Sequence, residues 1–224
     1  MPTAYEEGEI TFTCTVCNET KTEAVAKLGA CDGGKNCPSA KFTDVNTSKW
    51  YHEAVDYSVV NSLFAGTSDT TFEPNGAMTR AMLVTVLWRA AGQPEAKTAA
   101  SFQDVSEGRY YAKAVAWAKE NGIVAGTTDT TFSPNETVTR EQMAAILYRY
   151  AKFSGVDVGK TADLKDFPDA DKVSNYAKDA MAWAVENGII SGSLEGGKTY
   201  LDPKGDATRA QVASVLMRYL KTFG

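Results

Sequence analysis

Three times between residue 42 and the C-terminus the chain runs through the same order of residues, and this recurrence limits its folds more than any other feature. An aromatic and an Asp lead an Ala-rich segment, a tripeptide centred on Gly opens a polar loop that ends in Pro, and Thr-Arg begins a second apolar segment. Phe42-Thr-Asp44-Val and Phe102-Gln-Asp104-Val stand 60 residues apart, and Phe167-Pro-Asp169-Ala is the third copy. Tandem units of this size rarely bury an apolar face alone, so they pack on one another and share a core. Such a chain is expected to present a composite surface rather than a single active site.

Each copy reads as two helices. Trp50, Tyr110 and Tyr176 open the first, with Ala54-Val55, Ala114-Val115 and Ala180-Met181 on its inner face. Asn121-Gly122 and Asn187-Gly188 supply a left-handed C-terminal stop, for which Asn61-Ser62 is a weaker substitute. The second helix begins at Thr79, Thr139 and Thr208. Gln142 and Gln211 complete a capping box there, whereas Met82 does not, which predicts a more frayed start in the first copy. Leu83, Val84, Leu87 and Ala90 recur as Met143, Ala144, Leu147 and Tyr150, then as Val212, Ala213, Leu216 and Tyr219, the stripe of a buried helix face. The loops from Ala65-Gly66-Thr67, Ala125-Gly126-Thr127 and Ser191-Gly192-Ser193 are expected to be irregular, the third differing in shape because of Gly196-Gly197. The expected fold is mainly α, with repeats at 41–95, 96–155 and 156–224.

Residues 1–40 differ. Ile10, Phe12, Cys14 and Val16 alternate with polar residues, Cys17 to Thr20 suggest a turn, and Thr22, Ala24, Ala26 and Leu28 alternate again, so a small β-hairpin is expected. All four cysteines lie here. A structural zinc on Cys14, Cys17, Cys31 and Cys37 competes with local disulfides, which suit a segment too small to build its own core. The disulfide reading is favoured for Cys31 and Cys37, and no metal is expected. A redox role for Cys14-x-x-Cys17 lacks the surrounding βαβ pattern.

Composition removes several classes of function. A formal net charge of -5 without Lys/Arg runs argues against nucleic-acid binding. No stretch of about 18 apolar residues occurs, so no membrane span is expected. The N-terminus lacks the basic and apolar regions of a signal peptide, which leaves a cytosolic chain or a piece of a longer exported protein. His52, the single histidine, reads as a solvated or packed side chain at a helix start, which leaves little room for histidine-based catalysis. Asp163, Asp166, Asp169 and Asp171 read as a solvated loop or a weak cation site rather than a catalytic pair.

Arg80, Arg140 and Arg209 occupy the first turn of each second helix, where the dipole disfavours a cation. Something negative should lie near each one. It is either an acidic residue of a neighbouring repeat or an anionic ligand held by helix amides and guanidinium together. Trp50, Tyr110 and Tyr176 are likewise open between core anchors and sugar-stacking platforms.

Phe-x-Asp-Val, the aromatic helix start, Gly-Thr-x-Asp-x-x-Phe-x-Pro-Asn and Thr-Arg-Ala/Glu together resemble three tandem S-layer homology modules over about residues 41–224. The tract from Cys31 to Phe42 is also similar to the lead-in of such modules in surface proteins of Gram-positive anaerobes. The resemblance implies a pseudo-threefold arrangement with a central three-helix bundle and three helical prongs. It further implies clefts between repeats that bind secondary cell-wall polysaccharide, typically through a pyruvyl ketal sugar, at the extracellular cell wall or S-layer, with no cofactor and no catalysis. Arg80, Arg140 and Arg209 would meet the ketal carboxylate. Asp44, Asp104 and Asp169 would accept sugar hydroxyls or buttress the cleft, and Gly66, Gly126 and Gly192 would let the glycan approach backbone amides. The chain departs from the family's usual Glu after Thr-Arg-Ala by having Met82, Gln142 and Gln211. Its third loop is the least faithful. Competing readings are self-association into a surface lattice and the anchoring part of a larger cell-wall hydrolase.

Overall fold

A computed structural model describes residues 8–13, 20–25, 31, 33–98 and 102–224. The chain divides into two compact units, Met1–Pro74 and Asn75–Gly224. Cys14 and Cys17, and with them the four-cysteine zinc reading, lie outside the described residues.

In the first unit β1 (Gly8–Thr13) pairs antiparallel with β2 (Thr20–Val25), as the alternation predicts. Thr20, expected in the turn, instead pairs with Thr13, in keeping with the preference of threonine for extended backbone. Cys31 and Cys37 form a disulfide with their Cα atoms 4.7 Å apart. Helix α1 (His52–Val60) turns Ala54 and Val55 inward, toward a core that also contains buried Phe42, Phe64 and Phe72. The rings of Phe42 and Phe64 lie 5.6 and 5.8 Å from that of Phe72. Ser62 ends the helix with φ 55°, so this serine takes the left-handed position that glycine fills in the other copies.

The second unit contains α2 (Arg80–Ala90), α3 (Ala112–Glu120), α4 (Arg140–Phe153), α5 (Lys178–Glu186) and α6 (Arg209–Phe223). Helix α3 packs on α2 and α5 packs on α4, so a first helix lies against the second helix of the preceding copy. The predicted stripes of α2, α4 and α6 are buried except for half-buried Ala90. Gly122 and Gly188 close α3 and α5 in the left-handed conformation, at φ 67° and 65°.

The Thr-Arg corners join one another through backbone. The Met78 amide donates to the Ala207 carbonyl (2.8 Å), Ala207 to Val138 (2.9 Å) and Val138 to Met78 (2.8 Å), which closes a cycle. A second cycle runs through the arginine amides, from Arg80 to Glu136, from Arg140 to Gly205 and from Arg209 to Gly76, each at 2.9 Å. Each helix start is thereby anchored on the loop of another copy.

Two expectations change. Trp50, Tyr110 and Tyr176 do not begin helices; the residues after them, Tyr51, Tyr111 and Ala177, are the N-cap positions. The third loop is regular rather than irregular: β3 (Ser193–Glu195) and β4 (Lys198–Tyr200) pair around Gly196-Gly197. Both glycines have positive φ, 55° and 78°, as a two-residue hairpin turn with matching twist requires.

Candidate functional site

The second helices begin as the capping signals predict. Thr79, Thr139 and Thr208 accept from the amides of Met82, Gln142 and Gln211, and Gln142 and Gln211 return the bond. The reciprocal bond at Gln142 measures 3.2 Å and the one at Gln211 3.0 Å. Met82 has no oxygen to return, so α2 keeps only half of the box.

The remaining amides of these helix starts do not face solvent. In α2 the Arg80 amide bonds to Glu136 and the Ala81 amide to the Pro134 carbonyl at 3.1 Å, while Met82 bonds to Thr79. The donors that a bare helix N-terminus would offer to an anion are therefore largely taken by another copy's backbone.

The arginine side chains complete the same junction. Arg80 Nε donates to the Phe132 carbonyl (2.8 Å) and Nη2 to the Ala125 carbonyl (3.1 Å), with the guanidinium 4.8 Å from the centre of the Phe132 ring. Arg140 Nε donates to the Leu201 carbonyl at 2.7 Å. Arg80, Arg140 and Arg209 are all buried. Burial pushes the guanidinium pKa of both Arg80 and Arg140 down from its ordinary value. For Arg80 and Arg140 the negative partner is neither an acidic side chain of another repeat in direct contact nor free space. It is the set of carbonyl dipoles of the next loop.

The loop that receives Arg80 is itself held by an aspartate. Asp104 accepts the amides of Phe132 (2.8 Å) and Ser133 (2.7 Å). Asp44 accepts those of Phe72 (2.8 Å) and Glu73 (2.7 Å), and Asp169 those of Leu201 (2.9 Å) and Asp202 (2.8 Å). The three aspartates thus clamp two successive amides each.

The glycines also have an internal reason. A Cβ on Gly126 would lie 2.2 Å from the Thr128 carbonyl and 2.8 Å from the Phe102 ring. Gly66 meets the same pair of obstacles at Ser68 (2.3 Å) and Phe42 (2.5 Å). At Gly192, φ is 76° and a Cβ would meet Thr199 Cγ2 at 2.6 Å. In each copy the missing side chain lets the loop close on its own backbone and aromatic ring.

Beside Arg80 lies a pocket of about 330 Å³ lined by Ala125, Gly126, Thr127, Gln142, Arg149 and Tyr176, among others. It draws on three copies: Arg80 from the first, the Gly126 loop and α4 from the second, and Tyr176 from the third. Arg149 makes no hydrogen bond or ion pair among the described residues. It was missed in the sequence, although Arg89, Arg149 and Arg218 recur nine residues after each Thr-Arg arginine. Nine residues are two and a half helical turns, so each second helix carries one arginine toward one neighbour and the other toward the opposite side.

Trp50, Tyr110 and Tyr176 are exposed at 64%, 61% and 54%, while Tyr51, Tyr111 and Ala177 beside them are buried. The core anchor is therefore the residue that follows each aromatic. Tyr176 Oη donates to Glu141 Oε1 at 3.0 Å, which holds the ring over the pocket. Burial and this carboxylate push the phenol up to about 12. Glu141 is buried and accepts in addition from the Ser174 amide (2.9 Å), Ser174 Oγ (3.0 Å) and Lys204 Nζ (2.7 Å). Burial alone would raise its carboxyl, but the Lys204, Ser174 and Tyr176 bonds outweigh this and hold it below the ordinary carboxylate range. The sequence singled out Gln142, its neighbour, and passed over Glu141.

The acidic tract near residue 169 divides. Asp169 serves the clamp, while exposed Asp163 caps a short 3-10 turn, Leu164–Asp166, and pairs with Lys165.

Comparison with known proteins matches the S-layer homology domain at residues 41–81, 101–144 and 166–213. A surface-layer 125 kDa protein of Lysinibacillus sphaericus is 34% identical over 184 residues, which is 82% of this chain and 15% of that protein. An endoglucanase of Bacillus sp. (strain KSM-635) is 32% identical over 179 residues, 80% of this chain and 18% of the enzyme. A cellulosome-anchoring protein of Acetivibrio thermocellus is 33% identical over 143 residues, 59% of this chain and 32% of that protein. The chain thus spans a third or less of each of these relatives.

Proposed function

The chain belongs to the S-layer homology family, and on that premise we propose that it is a non-catalytic module whose inter-repeat clefts bind secondary cell-wall polysaccharide through an anionic, pyruvyl-ketal sugar. S-layer homology domains anchor proteins at the cell wall, and this chain carries three. The partner glycan and the cargo, an exported protein of which this chain is the anchor, are parts of the same proposal.

The observation that carries it is the pocket shared by Arg80, Arg149 and Tyr176. A chain of net charge -5 needs a local concentration of positive charge to attract an anion, and this pocket has two guanidinium groups on its wall. Arg80 is already engaged by loop carbonyls, so Arg149 is the arginine with donors to spare. A charge-assisted bond from it to a ketal carboxylate contributes about 1.5 to 3 kcal/mol. Tyr176, fixed through Glu141 with its ring exposed, offers a face for the sugar. The Asp clamps and tight glycines give the loop a fixed shape before ligand arrives, which lowers the ordering cost of binding.

The two backbone cycles at the helix starts support the pseudo-threefold arrangement, with α2, α4 and α6 as its bundle and α3 and α5 as prongs. By the repeat, Arg140 and Arg209 are further candidate ligand-binding arginines, and Trp50 and Tyr110 are the aromatic residues equivalent to Tyr176. Engagement of several clefts by one polymer raises avidity on the order of 10² to 10⁴ over one site.

Arg149→Ala is the direct test, because the side chain lines the pocket without bracing the fold. Cosedimentation with purified, pyruvylated cell-wall glycan should weaken by about tenfold to a hundredfold with an unchanged melting temperature. Undiminished binding would remove Arg149 from the site, and equal binding of glycan stripped of its ketal would remove the carboxylate from the proposal.

A further inference from the structure

The disulfide segment and the first turns of α1 bring together four residues that the anchoring role leaves unused. His52 and Asp56 are one helical turn apart on α1, so both side chains project from one face. His52 Nε2 lies 3.6 Å from Cys31 Sγ and 3.4 Å from Asp56 Oδ2. With Cys37 Sγ, these ligand-type atoms all lie within 4.8 Å of one another. Cys37, His52 and Asp56 are buried.

We propose that Cys31, Cys37, His52 and Asp56 form a zinc site when the two cysteines are reduced, and that the Cys31–Cys37 disulfide is the oxidised, metal-free form of the same cluster.

Asp56 supplies the first argument. Its Oδ1 accepts the Ser39 amide at 2.8 Å, which ties the cysteine loop to α1, but its Oδ2 is buried with no hydrogen bond among the described residues and faces the His52 imidazole at 3.4 Å. A buried carboxylate oxygen left in that state is costly unless a cation faces it. The bond to Ser39 is also the kind of outer contact that orients a ligating carboxylate.

Distance supplies the second. Tetrahedral zinc with ordinary bond lengths sets its sulfur and nitrogen ligands about 3.5 Å apart and its nitrogen and oxygen ligands about 3.4 Å apart. The protein already holds Cys31 to His52 at 3.6 Å and His52 to Asp56 at 3.4 Å. The remaining pairs, all within 4.8 Å, have to adjust to the same tetrahedral spacing, and the sulfurs have to part, to about 3.7 Å. That step is a two-electron reduction by a thiol or phosphine: the S–S bond takes up two electrons and two protons, giving two thiols. Zinc then binds both sulfurs as thiolates, releases those two protons, and accepts lone pairs from neutral His52 Nε2 and from Asp56 Oδ2.

The site differs from a four-cysteine zinc, and the test separates them. The full chain carrying Cys14→Ser and Cys17→Ser is dialysed against zinc alone, with and without a phosphine reductant, and its metal content is measured. One zinc per reduced chain and none per oxidised chain is the expected result. His52→Ala and Asp56→Asn in the same background should each weaken zinc binding by at least about tenfold. Melting curves of the oxidised variants establish that they fold. Cobalt in place of zinc gives an independent readout, since thiolate charge-transfer bands should appear on reduction and the ligand-field bands should change in His52→Ala. The proposal is overturned if the reduced double-serine chain takes up no zinc, if the oxidised chain takes up as much, or if His52→Ala binds both metals as its parent does.

Discussion

Around Arg80 and around Arg140 the chain repeats one helix start, yet the fate of the second arginine differs. At Arg80 the receiving loop is irregular, and Arg149 stands on the pocket wall without a partner among the described residues. At Arg140 the receiving loop is the β3–β4 hairpin, and Arg218, the counterpart of Arg149, donates to the Ile189 carbonyl and to Ser191 Oγ, both at 3.3 Å. The Thr-Arg motif makes the junction in both places. Whether the junction leaves a guanidinium for an anion depends on what the neighbouring loop takes from it.

The aspartate clamps give the largest expected effect. Asp169 is buried whereas Asp104 is half-buried, so Asp169→Ala should cost about 3 kcal/mol and Asp104→Ala about 2 kcal/mol in urea unfolding. The reverse order would mean that the hairpin holds the third loop without its clamp. Next comes the arginine pair. Arg218→Ala should lower the melting temperature by loosening the segment at Ile189 and Ser191, whereas Arg149→Ala should act on glycan binding alone; one common phenotype would erase the distinction between the two places.

Acid and alkali test the support beneath Tyr176. Glu141 is held below its ordinary 4.5, so its stabilising contribution is complete above that value and is lost as pH falls through the lowered one. Tyr176 is raised from 10.0 to about 12, so its contribution is complete below pH 10 and is lost as pH rises toward 12. Glu141→Gln should flatten the acid limb of the stability profile, and Tyr176→Phe the alkaline limb, both followed by circular dichroism. A smaller gain, about 0.5 kcal/mol, is expected from Met82→Gln, which supplies α2 with the oxygen that Gln142 and Gln211 give their helices. No gain would show that the backbone cycles, rather than the cap, limit fraying at α2.

Much of the helical framework was legible because its determinants are local. A Thr cap, a Gln three residues on, an Asn-Gly stop and an apolar stripe act within one or two turns, and each was found where the residues placed it. The aromatic at the helix start was ambiguous for an equally physical reason. Adjacent residues such as Tyr110 and Tyr111 compete for one inward position, and only packing selects the second. Arg149 and Glu141 escaped notice because nothing near them in the chain is their partner: Arg149 shares its pocket with Arg80 and Tyr176, and Glu141 bonds Ser174, Tyr176 and Lys204.

By itself, then, the sequence determined three related units, their mainly helical content and the places where the second helices begin, all of which follow from short-range spacing and backbone preference. Only the tertiary structure decided which loop carbonyls take the Arg80 and Arg140 guanidinium groups, which arginine stays available, that the third loop pairs as a hairpin, and that His52 and Asp56 stand beside Cys31 and Cys37. Those outcomes depend on groups far apart in the chain meeting at hydrogen-bonding distance. That requires the copies to be packed, and no residue pattern read along one strand of sequence specifies it.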